Sequence, residues 1–308
     1  MTRDTWERGC ALLCLLTRAA WEEGMPPPLT RQAVRKLEAS GALHSLVLRD
    51  DPEMEEETAS RVRALLARTK AVFRLMEAYE RQGYRLMLPA DSRWPHVLDA
   101  LGAQAPLFLF YHGNARLPDH PRMAVAGSRD IAPLTADMAR RLGRMLAQEG
   151  ITLVSGGARG VDLAAQRALL EAGGSMILVP ALPVSQVPMG KLERRAMEEG
   201  RMLILCDTLP DEPFSAAKAL ARNHTIYALG DAALVVAARR GLGGSWRGAT
   251  DCLRGGWSPV YAAYGEGRDF DGNRALRALG ARGIDLSGEK DLLGQLTARL
   301  EQTAIRLP

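Results

Sequence analysis

Apolar and polar positions keep a helical rhythm through roughly the first eighty residues. Trp6, Cys10, Leu13, Cys14 and Ala20 follow the helical period, and the prolines Pro26 to Pro28 end that segment. A short second helix is expected over residues 31–39, stopping at Ser40-Gly41. A long third helix is expected to start in the acidic run Asp50, Asp51, Glu53, Glu55, Glu56, Glu57. Its apolar face would be Val62, Leu65, Leu66, Thr69, Val72, Phe73, Met76 and Tyr79, with Gly83 as its C-terminal cap. Carboxylates in a first helical turn complement the helix dipole, which accounts for the acidic run without a ligand.

From Tyr84 the rhythm changes. Residues 84–88 and 107–111 read as extended runs, separated by the turn Asp91-Ser92-Arg93-Trp94-Pro95. Six apolar runs follow, at 123–126, 151–154, 176–179, 202–205, 233–237 and 260–263, alternating with amphipathic stretches. One such stretch places Leu134, Met138, Leu142, Met145 and Leu146 on one face and ends at Gly150, and another (Leu292, Leu293, Leu296, Leu300) closes the chain. Near-continuous apolar strands separated by helices are covered on both faces, so the fold class is α/β with a doubly wound, mostly parallel sheet. A small helical domain over residues 1–82 is expected to precede the sheet domain over residues 83–308.

Composition narrows the picture only slightly. The 308 residues are 47% hydrophobic and 25% charged, ordinary for a globular chain. Forty basic and 36 acidic side chains leave a net charge of +4, which does not by itself announce nucleic acid. The acidic run lies in the N-terminal third, which holds 15 acidic and 15 basic side chains, so the whole excess of +4 falls in the remainder. Cys10, Cys14, Cys206 and Cys252 have no CxxC spacing and read as small buried hydrophobes. The apolar run from Cys10 to Leu16 is too short to span a membrane, and no small-residue cleavage site follows it, so a cytoplasmic protein without membrane attachment is expected.

Candidate chemistry gathers in loops that follow strands, where helix N-termini offer free amides to an anion. Gly127-Ser128-Arg129 follows the first run and combines close backbone approach, a hydroxyl and a guanidinium fork. Ser155-Gly156-Gly157-Ala158-Arg159-Gly160-Val161-Asp162 follows the second; its successive amides can form an anion nest, with Asp162 read as the cap of the next helix. Lys218, Arg222 and Asn223 precede the fifth run, and Gly243-Gly244-Ser245 follows it, with the serine read as a helix cap.

In order and separation these motifs resemble the DNA-processing protein A (DprA/Smf) family, which carries a GSR turn, an SG-x-A-x-GID loop, an RN pair and a GSG-S segment. Trp94-Pro95 is similar to the family's Tyr-Pro turn, and the resemblance runs from about Gly83 to Ser287. It implies an extended Rossmann-like fold that binds single-stranded DNA without catalysis and without a cofactor. It also implies a homodimer that loads the RecA recombinase in recombination and natural transformation. By matching position, Arg129 would contact phosphate, and Gly156, Gly157, Arg159 and Gly160 would line the pocket floor beside Ser155. Lys218 and Arg222 would supply the far wall. The chain departs from the pattern at Gln166 (His in the family), at His224 (Arg), at Gly243 (Ser) and at Ala219-Leu220. At the last of these the family has Phe-Pro, where a base could stack. No C-terminal winged-helix module is expected.

Other classes fit less well. A Gly-x-Gly-x-x-Gly after the first strand, a Gly-x-x-x-x-Gly-Lys-Ser/Thr loop and metal-ligand spacing are all missing from the sequence. His44, His96, His112, His120 and His224 are scattered, and Ser128 and Ser155 have no partner base in the pattern. The alternative kept open is a sensor for a nucleotide-derived small molecule in the same glycine loops. A purely structural adaptor role stands third.

Overall fold

The computed structural model describes residues 3–40 and 55–286. The helix expected at Leu292–Leu300 and the first part of the acidic run lie outside the described residues. The chain forms two compact units: Met1–Trp94 with Gly102–His112 and Cys206–Pro210, and Pro95–Leu101 with Gly113–Leu205 and Asp211–Pro308. The first division falls at Trp94, not at residue 83, and both early extended runs belong to the helical unit.

That unit contains α1 (Arg3–Leu16), α2 (Arg31–Ala39), α3 (Glu56–Leu66) and α4 (Thr69–Arg81). Beside them, β1 (Arg85–Met87) pairs antiparallel with β2 (Leu109–Gly113). The first helix stops before Ala20, which lies in a turn with φ 49°. Thr17 causes the stop: its hydroxyl donates to the Leu13 carbonyl (2.7 Å) and accepts from the Ala19 amide (3.1 Å). The expected third helix is two helices, α3 and α4, interrupted at Ala67-Arg68. Arg68 is buried and donates to the carbonyls of Leu65 (3.2 Å), Ala19 (2.6 Å) and Cys14, so the chain breaks where that guanidinium turns inward. Phe73, expected inside, is 42% exposed and rests against Trp6 with ring centroids 5.3 Å apart. Gly83 follows α4 with φ 87°, as its cap role requires.

The second unit alternates strands and helices: β3 (Arg122–Ala126), α5 (Pro133–Gln148), β4 (Thr152–Ser155), α6 (Val161–Glu171), β5 (Met176–Leu178), α7 (Lys191–Glu198) and β6 (Met202–Cys206). It continues through α8 (Ala216–Leu229), β7 (Ala232–Val235), α9 (Gly243–Gly255), β8 (Val260–Ala263), α10 (Asp271–Ala278) and β9 (Arg282–Ile284). Its strands run in the order β6-β5-β4-β3-β7-β8-β9, each pair parallel. All residues of β4, β6, β7 and β8 are buried, which is why those runs carry no polar alternation. On α5 the buried face passes through Thr135, Ala139, Leu142 and Leu146, while Leu134, at the open first turn, is 69% exposed. The last strand, β9, has no counterpart among the expected runs. Buried Asn273 donates to the carbonyls of Val235 (3.1 Å), Val236 (3.1 Å) and Ala263 (3.0 Å), joining the carboxyl ends of β7 and β8. The winding moves outward from β3 to β6, then places β7 on the other side of β3. Such a switch point leaves a crevice at the carboxyl ends of the two adjacent strands.

Candidate functional site

A cleft of about 910 Å³ opens at that switch point, in the upper part of the range typical for ligand pockets. Four arginines (Arg129, Arg222, Arg239, Arg247) and two aspartates (Asp130, Asp162) face it, so the lining leans positive. No described helix is long and apolar enough to cross a membrane, and no described cluster of His, Cys, Asp or Glu could hold a metal.

Gly127, Ser128 and Arg129 all line the cleft. The turn is tied on three sides: the Ser128 amide donates to the Ala237 carbonyl (2.8 Å), the Ser128 carbonyl accepts from the Val161 amide (3.2 Å), and the Gly127 carbonyl accepts from the Ser245 hydroxyl (2.7 Å). Arg129 is exposed on the rim and forms no ion pair with a described residue.

The glycine-rich loop behaves differently from expectation. Only Ala158 and Asp162 of this stretch line the cleft; Ser155, Gly156, Gly157, Arg159 and Gly160 do not. Asp162 is the second residue of α6, not its cap; Gly160 holds the cap position at φ 84°. There an added Cβ would stand 2.2 Å from the Ser128 carbonyl oxygen, so only glycine lets this loop dock on the Gly127-Ser128-Arg129 turn. The loop's anion is the chain's own. The Asp162 carboxylate accepts from the Ala158 amide (3.4 Å), and the Gly156 amide and Ser155 hydroxyl also bond it. Burial pushes the Asp162 pKa up to about 6, against the opposing pull of Arg222 and those donors.

Arg222 and Asn223 line the cleft, but from the middle of α8 and not from a loop before β7. The Ser215 hydroxyl accepts from the Lys218 amide (3.2 Å) and caps a helix whose first residues are alanine-rich, so the helix continues through the Arg-Asn pair. Arg222 is buried, 7% exposed, and donates to the Val179 carbonyl beyond β5 (2.7 Å). A Cβ on Gly156 would fall 1.8 Å from its Nη1, so the guanidinium fills the space that this glycine leaves. Arg222 therefore clasps the ends of β4 and β5 beneath the floor. Lys218 does not line the cleft and pairs with Glu212. His224 points to α9, meeting Asp251 (3.1 Å) and the Trp257 ring, with centroids 4.8 Å apart.

Gly244 and Ser245 line the opposite wall in the first turn of α9. Ser245 does not cap that helix; its hydroxyl is the one bound to Gly127. The lining also includes groups that belong to none of the sequence motifs: Trp246, Arg247, Leu242 and, from the segment before α8, Phe214. Phe214 is 51% exposed and Leu242 61%. Phe214 sits just outside the Ser215 cap, where an apolar residue ordinarily staples onto the fourth helical position. Here that position is Ala219, whose methyl covers little of a ring. Neither Phe214 nor Trp246 belongs to a periodic run. Their only signal in the sequence is a large aromatic directly beside a helix start.

The family model described as DNA recombination-mediator protein A matches residues 85–290. A protein of Mycobacterium tuberculosis named for DNA processing protein DprA is 33% identical over 179 residues, covering 53% of this chain and 45% of its own. The DNA processing protein DprA of Streptococcus pneumoniae is 38% identical over 89 residues, 29% of this chain and 31% of its own. The chain thus spans less than half the length of these curated relatives. Among solved structures, DNA processing protein A from Streptococcus pneumoniae superposes with a TM-score of 0.65 at 23% identity, covering 91% of this chain and 93% of that one. DNA processing protein A from Helicobacter pylori, described for its single-stranded DNA binding mode, gives 0.58 at 25% identity over 70% of this chain and 96% of that one. With two thirds of its length matched by one family and the same sheet in the solved relatives, the chain belongs to the DNA recombination-mediator protein A family.

Proposed function

We propose that this chain grips single-stranded DNA in the cleft between the ends of β3 and β7. In this reading it acts without catalysis, as a homodimeric mediator that loads RecA recombinase in DNA uptake and recombination. The observation that carries the reading is the pair of rim arginines, Arg129 and Arg247. Both are exposed, stand in the cleft lining and form no ion pair with a described residue. Unpaired guanidiniums, one on a fixed turn and one on a helix, can each neutralise a backbone phosphate at little cost in rearrangement. Family membership and the Helicobacter pylori relative's single-stranded DNA binding mode lend support. The non-catalytic part is supported by the hydroxyls: Ser128 Oγ donates to the Ala237 carbonyl (3.3 Å), which is no general base, and Ser155 is fully buried outside the cleft lining, out of reach of a ligand.

Fluorescence anisotropy with labelled oligo-dT, with and without excess mononucleotide, tests the reading. Tight oligonucleotide binding that mononucleotides do not displace is expected. Binding of a mononucleotide alone would instead make the cleft a small-molecule sensor.

A further inference from the structure

We infer that Phe214 and Trp246 give the cleft a stacking surface for an unpaired nucleobase. The inference rests on the reading of the cleft as a single-stranded DNA site and states which part of the strand those rings hold.

Phe214, ahead of α8, and Trp246, in the first turn of α9, both line the cleft. Phe214 exposes 51% of its surface although a packed position is available to it in principle, because the staple site below holds only Ala219. A half-exposed phenylalanine costs solvation free energy unless a partner covers it, and cleft rings are where aromatic side chains meet bases. Leu242, 61% exposed beside them, extends the apolar wall. The exposed arginines of the lining without a described ion pair are Arg129, on the turn after β3, and Arg247, next to Trp246 in sequence. A ligand satisfying both sets needs a flat apolar face and flanking anions, which is the make-up of a nucleotide within a strand. A base paired and stacked in a duplex hides its face from these rings, so the occupant is an unpaired strand.

The test compares a dT oligonucleotide with one of equal length whose central sugars are abasic, so that phosphates are constant and bases are not. Wild-type protein is expected to prefer dT by about tenfold or more, as stacking on an aromatic contributes at that level. The double variant Phe214→Ala, Trp246→Ala should bind both oligonucleotides with the affinity the wild type shows for the abasic one. Phe214→Tyr, which keeps the ring, should retain the preference. Equal wild-type affinity for the two oligonucleotides overturns the inference, as does a double variant that keeps the preference. A double variant that weakens both by the same factor also overturns it, since the rings then support the fold and touch no base. If wild-type protein binds neither oligonucleotide, the DNA reading of the cleft falls, a result distinct from all of these.

Discussion

Arg129 and Arg222 look equivalent in the sequence, each an arginine in a polar motif near a strand, yet the structure gives them different work. Arg129 is exposed on the rim, whereas Arg222 is 7% exposed and bonded to the Val179 carbonyl. Substituting Arg222 by alanine is expected to cost about 3 kcal/mol of folding stability, because it takes the charged donor from the buried Val179 carbonyl and the nearby positive charge from the buried Asp162 carboxylate. Arg129→Ala should leave the denaturation midpoint where it is. Equal midpoints for the two variants in urea would refute this division. Asp162 has its own pH signature. Its pKa is raised from 3.8 to about 6 in the folded chain, so the folded state holds the proton over that interval when the unfolded state has lost it. The contribution is therefore complete below about pH 4 and fades as the pH rises through 6, by roughly 3 kcal/mol in all. Asp162→Asn should abolish that fall, visible as a difference between wild-type and variant stability curves from pH 4 to 7. Burial is what the sequence conceals here. A glycine-rich loop ending in Asp is visible in the sequence as an anion nest, but not that its anion is the aspartate itself.

At the scale of elements, legibility followed how completely each element is buried. The strands β4, β6, β7 and β8 are buried throughout, so each stands out as an uninterrupted apolar run. In β9 only Ile284 is buried, and Arg282-Gly283-Ile284 gives no pattern to read. The break between α3 and α4 is equally hidden, since the helical period continues across Ala67-Arg68. Its cause is Arg68 reaching carbonyls at Cys14, Thr17 and Ala19, contacts between segments far apart in the chain. Arg68→Ala is expected to destabilise the helical unit by about 3 kcal/mol, because buried carbonyls lose their only charged donor among the described residues. Amide hydrogen exchange in α1, α3 and α4 should accelerate while the strands of the second unit keep their protection. Unchanged exchange in those helices would show that Arg68 does not hold the junction. The continuation of α8 through Arg222 could have been read: Ser215 followed by an alanine-rich stretch is a helix start, and Gly230 ends it.

At the scale of the whole molecule, the order of the strands matters more than any single motif. Because β7 lies beside β3, loops a hundred residues apart in sequence meet at one crevice, shown by the Ser245 hydroxyl on the Gly127 carbonyl. The motif order in the sequence announced that such loops exist and that they follow strands. Which of their residues face the crevice followed from helix placement, and this is how Phe214 and Trp246 enter and Lys218 leaves. In the proposed reading, Arg129 neutralises a phosphate of a bound single strand. Its most direct test is the salt dependence of oligo-dT affinity, measured by anisotropy for wild-type protein and Arg129→Ala. Each phosphate contact on a single strand contributes about 0.7 to the slope of log affinity against log salt, so the variant's slope should be shallower by about that amount, with weaker binding at low salt. Identical slopes and identical low-salt affinity for the two proteins would mean that Arg129 touches no phosphate of the strand.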